Sequence, residues 1–221
     1  MNLLSFNASP RKKGNSSMLL RELLRGAHET EIHIEEYNVH DLHLKDCRGC
    51  LRCNLIKRCA LRGDDWPQLS KKIQKADVIV FASPVYFHHV PAPLKKLIDR
   101  FRSFVNVRIT EKGLQHTPWQ EWKKEIFLIL SLGSSSEQDA GPAIDLFRFL
   151  TETMGPDNRF SWITATRLAV VNQVKMTEGE LEEFYRKIKM PLGLAKEDSR
   201  RNKDLLKKCY EKGRELSTKR K

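Results

Sequence analysis

The chain has 221 residues and a formal net charge of +12, with 40 Lys and Arg against 28 Asp and Glu. That length suits one domain with a sizeable core and is marginal for two, and no run nears the ~20 apolar residues of a membrane span. The N-terminal basic residues follow the first apolar run instead of preceding it, unlike a secretion signal, so the expected compartment is the cytoplasm. Thiols stay reduced there, which makes a disulfide framework the least expected use of the five cysteines.

In chain order, "NLLSFN" reads as a short buried strand followed by a polar loop. Leu19, Leu20, Leu23 and Leu24 then share one helical face, with Gly26 as the stop. "TEIHIEEYNV" alternates as a strand that is apolar on one side. After a cysteine-rich segment, "DVIVFASP" is a continuous apolar run cut off by Pro84, the pattern of a central parallel strand. Leu94, Leu97, Ile98 and Phe101 follow at helical spacing. "EIFLILSLG" is a further buried run ended by Gly133, and Pro142 and Gly155 bracket a helix containing Phe147, Leu150 and Met154. "FSWITATRLAVV" is the fifth strand. Thr177 and Glu180 make a capping-box pattern ahead of Leu181, Phe184, Tyr185 and Ile188, Met190-Pro191 breaks that helix, and a last helix covers about 198–216.

Strand–helix alternation argues an α/β fold with a parallel sheet covered on both faces. Ligands of such sheets sit at the carboxyl ends of the strands, beside a topological switch point. The loops after strands one, three and four are therefore the candidate site, and the cysteine segment after strand two is expected at the same edge.

The first loop, "NASPRKKGNSS", opens a helix whose N-terminus carries unpaired N–H groups and partial positive charge. Ser9, Asn15, Ser16 and Ser17 add polar groups, Arg11 offers a two-pronged phosphate contact, and Gly14 permits a sharp turn. The result is an anion cradle, with neither G-K-[ST] nor G-x-G-x-x-G; a polar turn with an Asn or Ser N-cap would look the same. In the second loop, Pro84, Val85, Tyr86 and Phe87 set apolar groups at a strand's carboxyl end, where a flat ring can lie or where the aromatics simply pack locally. Gly133, Ser134 and Ser135 suit a second wall of that pocket. His88 and His89 read as solvated or partner-facing residues rather than acid–base groups.

Residues 46–59, "DCRGCLRCNLIKRC", hold Cys47, Cys50, Cys53 and Cys59 at C-x2-C-x2-C-x5-C spacing. Two-residue gaps set successive thiolates on one concave surface, as in the ferredoxin ligand run for a [4Fe–4S] cluster. Arg48, Arg52, Lys57 and Arg58 partly offset an anionic cluster. Structural zinc sites usually separate two ligand pairs by a longer loop, so zinc fits less well, and cluster-free thiols remain a third use. Cys209 sits in a helical pattern with Leu205 and Leu206 as an ordinary packing residue.

"SPRKKGNSS", "CRGCLRCNLIKRC" and "SPVYFHHVPAPLKKLIDR", in this context, resemble the NADPH-dependent FMN reductase superfamily, and within it the iron–sulfur flavoproteins. The resemblance covers about residues 1–170 and implies a flavodoxin-like three-layer fold: a five-stranded parallel sheet in order 2-1-3-4-5, helices on both faces and an extra C-terminal helix. The expected organisation is an FMN-binding domain over 1–195 with a cluster loop at 46–62, then a basic helix and tail over 196–221. By position, the resemblance assigns Ser9, Arg11, Asn15, Ser16 and Ser17 to the FMN phosphate. It assigns Pro84, Val85, Tyr86 and Phe87 to the isoalloxazine, Gly133, Ser134 and Ser135 to the third flavin loop, and Cys47, Cys50, Cys53 and Cys59 to a [4Fe–4S] cluster. It also implies a homodimer or homotetramer.

The expected function is electron transfer through the cluster and FMN, with a ferredoxin-like carrier or NAD(P)H as partner and no catalytic side chain. One alternative is a cluster-free NAD(P)H-dependent flavin, quinone or nitro reductase. Another is a binding protein on this fold whose basic tail contacts polyanions. Interspersed acids and the lack of a nucleic-acid motif speak against a nucleic-acid partner.

Overall fold

The computed structural model describes residues 1–218; the end of the basic tail, 219–221, lies outside the described residues. Five strands form the main sheet: β1 (Asn2–Asn7), β2 (His33–Asn38), β3 (Val78–Pro84), β6 (Glu125–Ser131) and β7 (Arg159–Ala165). All pair in parallel in the order β2-β1-β3-β6-β7, the expected flavodoxin-like topology, with its switch point between β1 and β3.

The central strands read as continuous apolar runs because both of their faces are covered. On one face, Leu4, Phe6, Ile79, Phe81, Ile126 and Leu128 pack under α3 (Trp66–Lys75), α4 (Ala92–Arg100) and α5 (Gly141–Thr153). Phe6 stacks on Phe81 at 5.3 Å, and Phe81 meets Phe147 at 4.8 Å. On the other face, Leu3, Val80 and Ile129 pack under α1 (Asn15–Ala27) and α7 (Leu194–Thr218), with Leu19, Leu23, Cys209 and Leu216 buried there. The capping box at Thr177 starts α6 (Glu178–Lys187) as the sequence predicts.

Three local expectations change. Gly26 does not stop α1, which runs on to Ala27 and ends on His28 in ordinary right-handed conformation. Its role is close packing: a Cβ at Gly26 would lie 2.0 Å from the Tyr210 carbonyl oxygen, and one at Gly213 would lie 1.9 Å from that of Leu23. The fifth strand ends at Ala165, and the rest of its apolar run forms a loop. Finally, β4 (Val105–Thr110) and β5 (Gly113–Pro118) make an antiparallel hairpin that the sequence argument does not anticipate. Its turn residues, Glu111-Lys112, are followed by Gly113 at φ 103°, a glycine turn signal, but the two strands are mostly exposed.

Candidate functional site

The loops after β1, β3 and β6 lie side by side at the carboxyl edge, because those strands are neighbours. In the first, Gly14 is the N-cap of α1 and no side chain caps the first turn. The Asn or Ser cap that would make this an ordinary polar turn is therefore not used. Ser9 and Ser17 brace the loop from inside: Ser9 Oγ donates to the Arg11 carbonyl at 3.1 Å, and Ser17 Oγ lies 3.1 Å from Asn7 Oδ1 and 3.2 Å from the Arg11 carbonyl. Ser16 Oγ is buried and has no hydrogen-bond partner, an orphan at the helix N-terminus. Gly14 is required for space rather than for a turn: its φ is −66°, open to any residue, but a Cβ would stand 2.2 Å from Ser9 Oγ.

Asn15 faces elsewhere. Its amide donates to the Val170 carbonyl at 2.8 Å and accepts from the Val174 N–H at 3.0 Å, fastening the loop after β7. Arg11 is exposed, with Nη1 3.4 Å from the Ala169 carbonyl of that loop.

In the second loop, Val85 N–H donates to the Ser131 carbonyl at 2.9 Å, tying it to β6. Tyr86 and His89 exchange two backbone hydrogen bonds around Phe87 and His88, at φ 48° and 62°. Two left-handed central residues define a type I′ turn. Non-glycine residues there cost roughly 1–2 kcal/mol each, strain that collects at functional sites. Phe87 is fully exposed at its tip. His88 Nδ1 reaches the Asp139 carbonyl at 3.1 Å, bridging to the segment after β6. In the third loop, Gly133 and Ser135 are exposed, and Ser134 accepts from the Arg167 N–H at 2.9 Å.

Helix α7 secures this edge from behind. Asp198, fully buried, accepts from Arg167 Nε at 2.8 Å and from Tyr185 Oη, and pairs with the Arg201 charge at 2.7 Å. Burial alone would push the Asp198 carboxyl up, but the Arg167 and Tyr185 hydrogen bonds and both arginine charges hold it below the usual range. Burial and Asp198 together push Tyr185 up to about 12. Asn202 Nδ2 adds a 3.4 Å contact to the Gln173 carbonyl, while the Gln173 side chain bonds the backbone of Arg167, Ala169 and Val170. The residues walling the loops after β1 and β6 are thus pinned by the C-terminal helix.

The cysteine segment leaves β2 at the carboxyl edge but does not stay there. Cys47, Cys50, Cys53 and Cys59 line one concavity with Asp99, Arg100, Arg102 and Ser103. Arg100 closes α4, about 12 Å from the helix start at 1.5 Å per residue, so the thiols sit at the far end of α4 from the loop after β3. Reciprocal bonds fix the base of the segment: His43 N–H to Asp65 Oδ2 at 2.7 Å, Asp65 N–H to the His43 carbonyl at 2.9 Å, and Lys45 N–H to Asp64 Oδ2 at 3.0 Å. Gly49, Leu51 and Lys57 take left-handed φ of 61°, 54° and 53° to turn it back on itself. Cys53 opens the short helix α2 (Cys53–Ile56), which docks on the hairpin. The Asn54 amide donates to the Val107 carbonyl at 2.9 Å and accepts its N–H at 3.2 Å, satisfying β4 as another strand would.

Cys47 and Cys50 are exposed, Cys59 is half-buried and Cys53 is buried. Burial pushes the Cys53 thiol up, and the Arg102 charge pulls it back. Arg48, Arg52, Lys57 and Arg58 are exposed, and the contacts to sulfur come instead from Arg100 and Arg102. Sequence reasoning misses both, because each stands more than 40 residues from its cysteine and no local pattern marks it. His40 and His43 are absent from the sulfur lining; His40 leans on the Ala8 carbonyl at 3.1 Å. Among the described residues, no three His, Cys, Asp or Glu side chains are arranged to hold a single metal ion. The four thiols line a concavity with cationic N–H donors on one side, a donor set suited to a thiolate-held group.

Residues 1–163 match the NADPH-dependent FMN reductase family. The chain belongs to that family. It is 39% identical over 102 residues to an iron–sulfur flavoprotein of Methanocaldococcus jannaschii, covering 46% of this chain and 52% of that protein. It is 32% identical over 113 residues to an iron–sulfur flavoprotein of Archaeoglobus fulgidus, covering 51% and 50%. The chain thus spans about half the length of these curated relatives. Its fold is similar to an NAD(P)H:quinone oxidoreductase from Methanothermobacter marburgensis, with TM-score 0.66, 15% identity and coverage of 100% and 98%. It is also similar to an FMN-dependent NADH-azoreductase from Bacillus anthracis in complex with FMN, with TM-score 0.64, 13% identity and coverage of 99% and 100%.

Proposed function

We propose that this family member is an oxidoreductase that binds FMN across the loops after β1, β3 and β6 and holds a [4Fe–4S] cluster on Cys47, Cys50, Cys53 and Cys59. The observation that carries the flavin reading is the first turn of α1. It has no side-chain cap, its Ser16 hydroxyl is buried without a partner, and Arg11 stands exposed beside it. A phosphate would meet the helix N–H groups, the positive end of the dipole and a guanidinium together. The exposed Tyr86 and Phe87 offer aromatic faces to a flat ring, and Gly133, Ser134 and Ser135 offer small groups on the other side. The sulfur-lined concavity and the likeness to iron–sulfur flavoproteins support the cluster.

When bound, the cluster supplies one-electron and FMN one- or two-electron chemistry. The chain's own part is to bind, orient and shield; no nucleophile or acid–base pair is required. The reading includes an acidic one-electron carrier drawn to a chain of charge +12, and a homodimer or homotetramer. The family's NADPH dependence favours a second reading, in which nicotinamide reduces the flavin directly and the cysteines stay cluster-free.

Anaerobic rapid mixing separates the two. The first reading expects the flavin absorption to bleach quickly with a reduced ferredoxin-type carrier and slowly with NADPH. Fast bleaching by NADPH with none from the carrier would establish the second.

A further inference from the structure

We infer that Arg100 and Arg102 are positioning residues that set the electronic environment of the cysteine site by donating N–H groups to two of its four sulfurs. The inference rests on the cluster reading above. Arg100 Nη2 lies 3.4 Å from Cys59 Sγ, and Arg102 Nη1 lies 3.5 Å from Cys53 Sγ. Both arginines come from one turn at the end of α4, and both reach the less exposed cysteines, while Cys47 and Cys50 face solvent.

Each guanidinium is aimed by other contacts. Arg100 Nη1 bonds Asp64 and donates to the Lys45 carbonyl at 2.8 Å, and its Cζ stands 5.3 Å from the Trp66 ring centre. Arg102 Nη2 donates to Asn54 Oδ1 at 2.9 Å, and Nη1 donates to the Val105 carbonyl at 2.8 Å. The Arg100 and Asp64 side chains are 0% exposed, and Arg100 Nε and Asp64 Oδ1 have no hydrogen-bond partner. A buried ion pair is a poor source of stability, and apolar residues of the same volume often hold a fold as well. What an apolar pair would not supply is a cation and an N–H directed at Cys59. Hydrogen bonds to cluster sulfurs and nearby positive charge stabilise the more negative, reduced state and raise its reduction potential.

The test is a redox titration of the cluster, followed by electron paramagnetic resonance, on anaerobically reconstituted wild type, Arg102→Gln and Arg102→Lys. The cluster potential should fall in Arg102→Gln and lie between the two in Arg102→Lys, which keeps the charge but not the planar fork. The FMN potentials should stay where they are. Adding Arg100→Lys should lower the cluster potential further. If Arg102→Gln sheds its iron, the two Lys variants carry the comparison. Equal iron content with an unmoved potential in the variants overturns the inference alone. A wild type that takes up no iron and sulfide overturns the cluster reading, and the inference with it.

Discussion

Arg11 stands exposed on the loop after β1, where its guanidinium makes a long 3.4 Å contact to the Ala169 carbonyl, so its removal should cost the apoprotein little. A charge-assisted contact to phosphate is worth about 1.5–3 kcal/mol, and Arg11→Ala should weaken FMN binding by roughly 10- to 150-fold. Flavin fluorescence titration reads this, and an unchanged affinity would contradict the assigned loop. At this scale the sequence is a good guide to polarity and a poor one to direction. The loop "NASPRKKGNSS" shows that α1 starts in hydroxyl and amide groups. It does not show that Asn15 turns away to Val170 and Val174, or that Gly14 is needed for the room it leaves Ser9. Arg100 and Arg102 carry no local signal at all, because their cysteine partners come from a distant segment.

Among the elements, α7 carries the most structure that lies beyond the resemblance. Its Asp198 joins Arg167, Arg201 and Tyr185, and through Arg167 it holds the residues that bond the loop after β6. Breaking a buried charge network by removing one partner typically costs about 3–5 kcal/mol. Asp198→Asn should lose that much in denaturant unfolding and weaken FMN binding, though it touches no flavin loop directly. The pH dependence has two signs. The Asp198 pKa is lowered on folding, so its stabilisation is complete above the ordinary aspartate value near ~3.9 and is lost as pH falls through the folded value. Tyr185 is raised to about 12 from 10.0, so its share is complete below 10 and is lost as pH climbs toward 12. Asp198→Asn should flatten both limbs of the stability profile, and a profile identical to wild type would show that the network does not act as one unit. The five strands of the sheet and the helices α1, α4, α5, α6 and α7 are legible because their apolar periods are strong. The hairpin is not, because its strands are mostly exposed and give the Gly113 turn no buried apolar run to join, and α2 is only one turn held by Asn54.

Across the whole molecule, strand order follows from the alternation of strand and helix, while the path of the cysteine segment does not. Periodicity places its start beside the loops after β1 and β3, whereas Asp64, Asp65 and Arg100 fold it along α4 to the other end of that helix. The charge of +12 also reads differently once α7 is seen on α1. The apolar side of α7 buries Leu205, Cys209 and Leu216, and at about 1.5–3 kcal/mol for each large apolar side chain that burial is a sizeable part of a stability of roughly 5–15 kcal/mol. A deletion after Arg200 would therefore strip core from the domain, and a polyanion contact is better probed by charge substitutions on the exposed side of α7. No helix among the described residues is long and apolar enough to cross a membrane.

The central claim is that one chain carries both a flavin site and a sulfur-held cluster. The most direct measurement is iron, acid-labile sulfide and FMN on a single anaerobically purified sample. The account predicts about four iron and about four sulfide for each FMN, as a [4Fe–4S] cluster requires. FMN without iron after anaerobic reconstitution would contradict it.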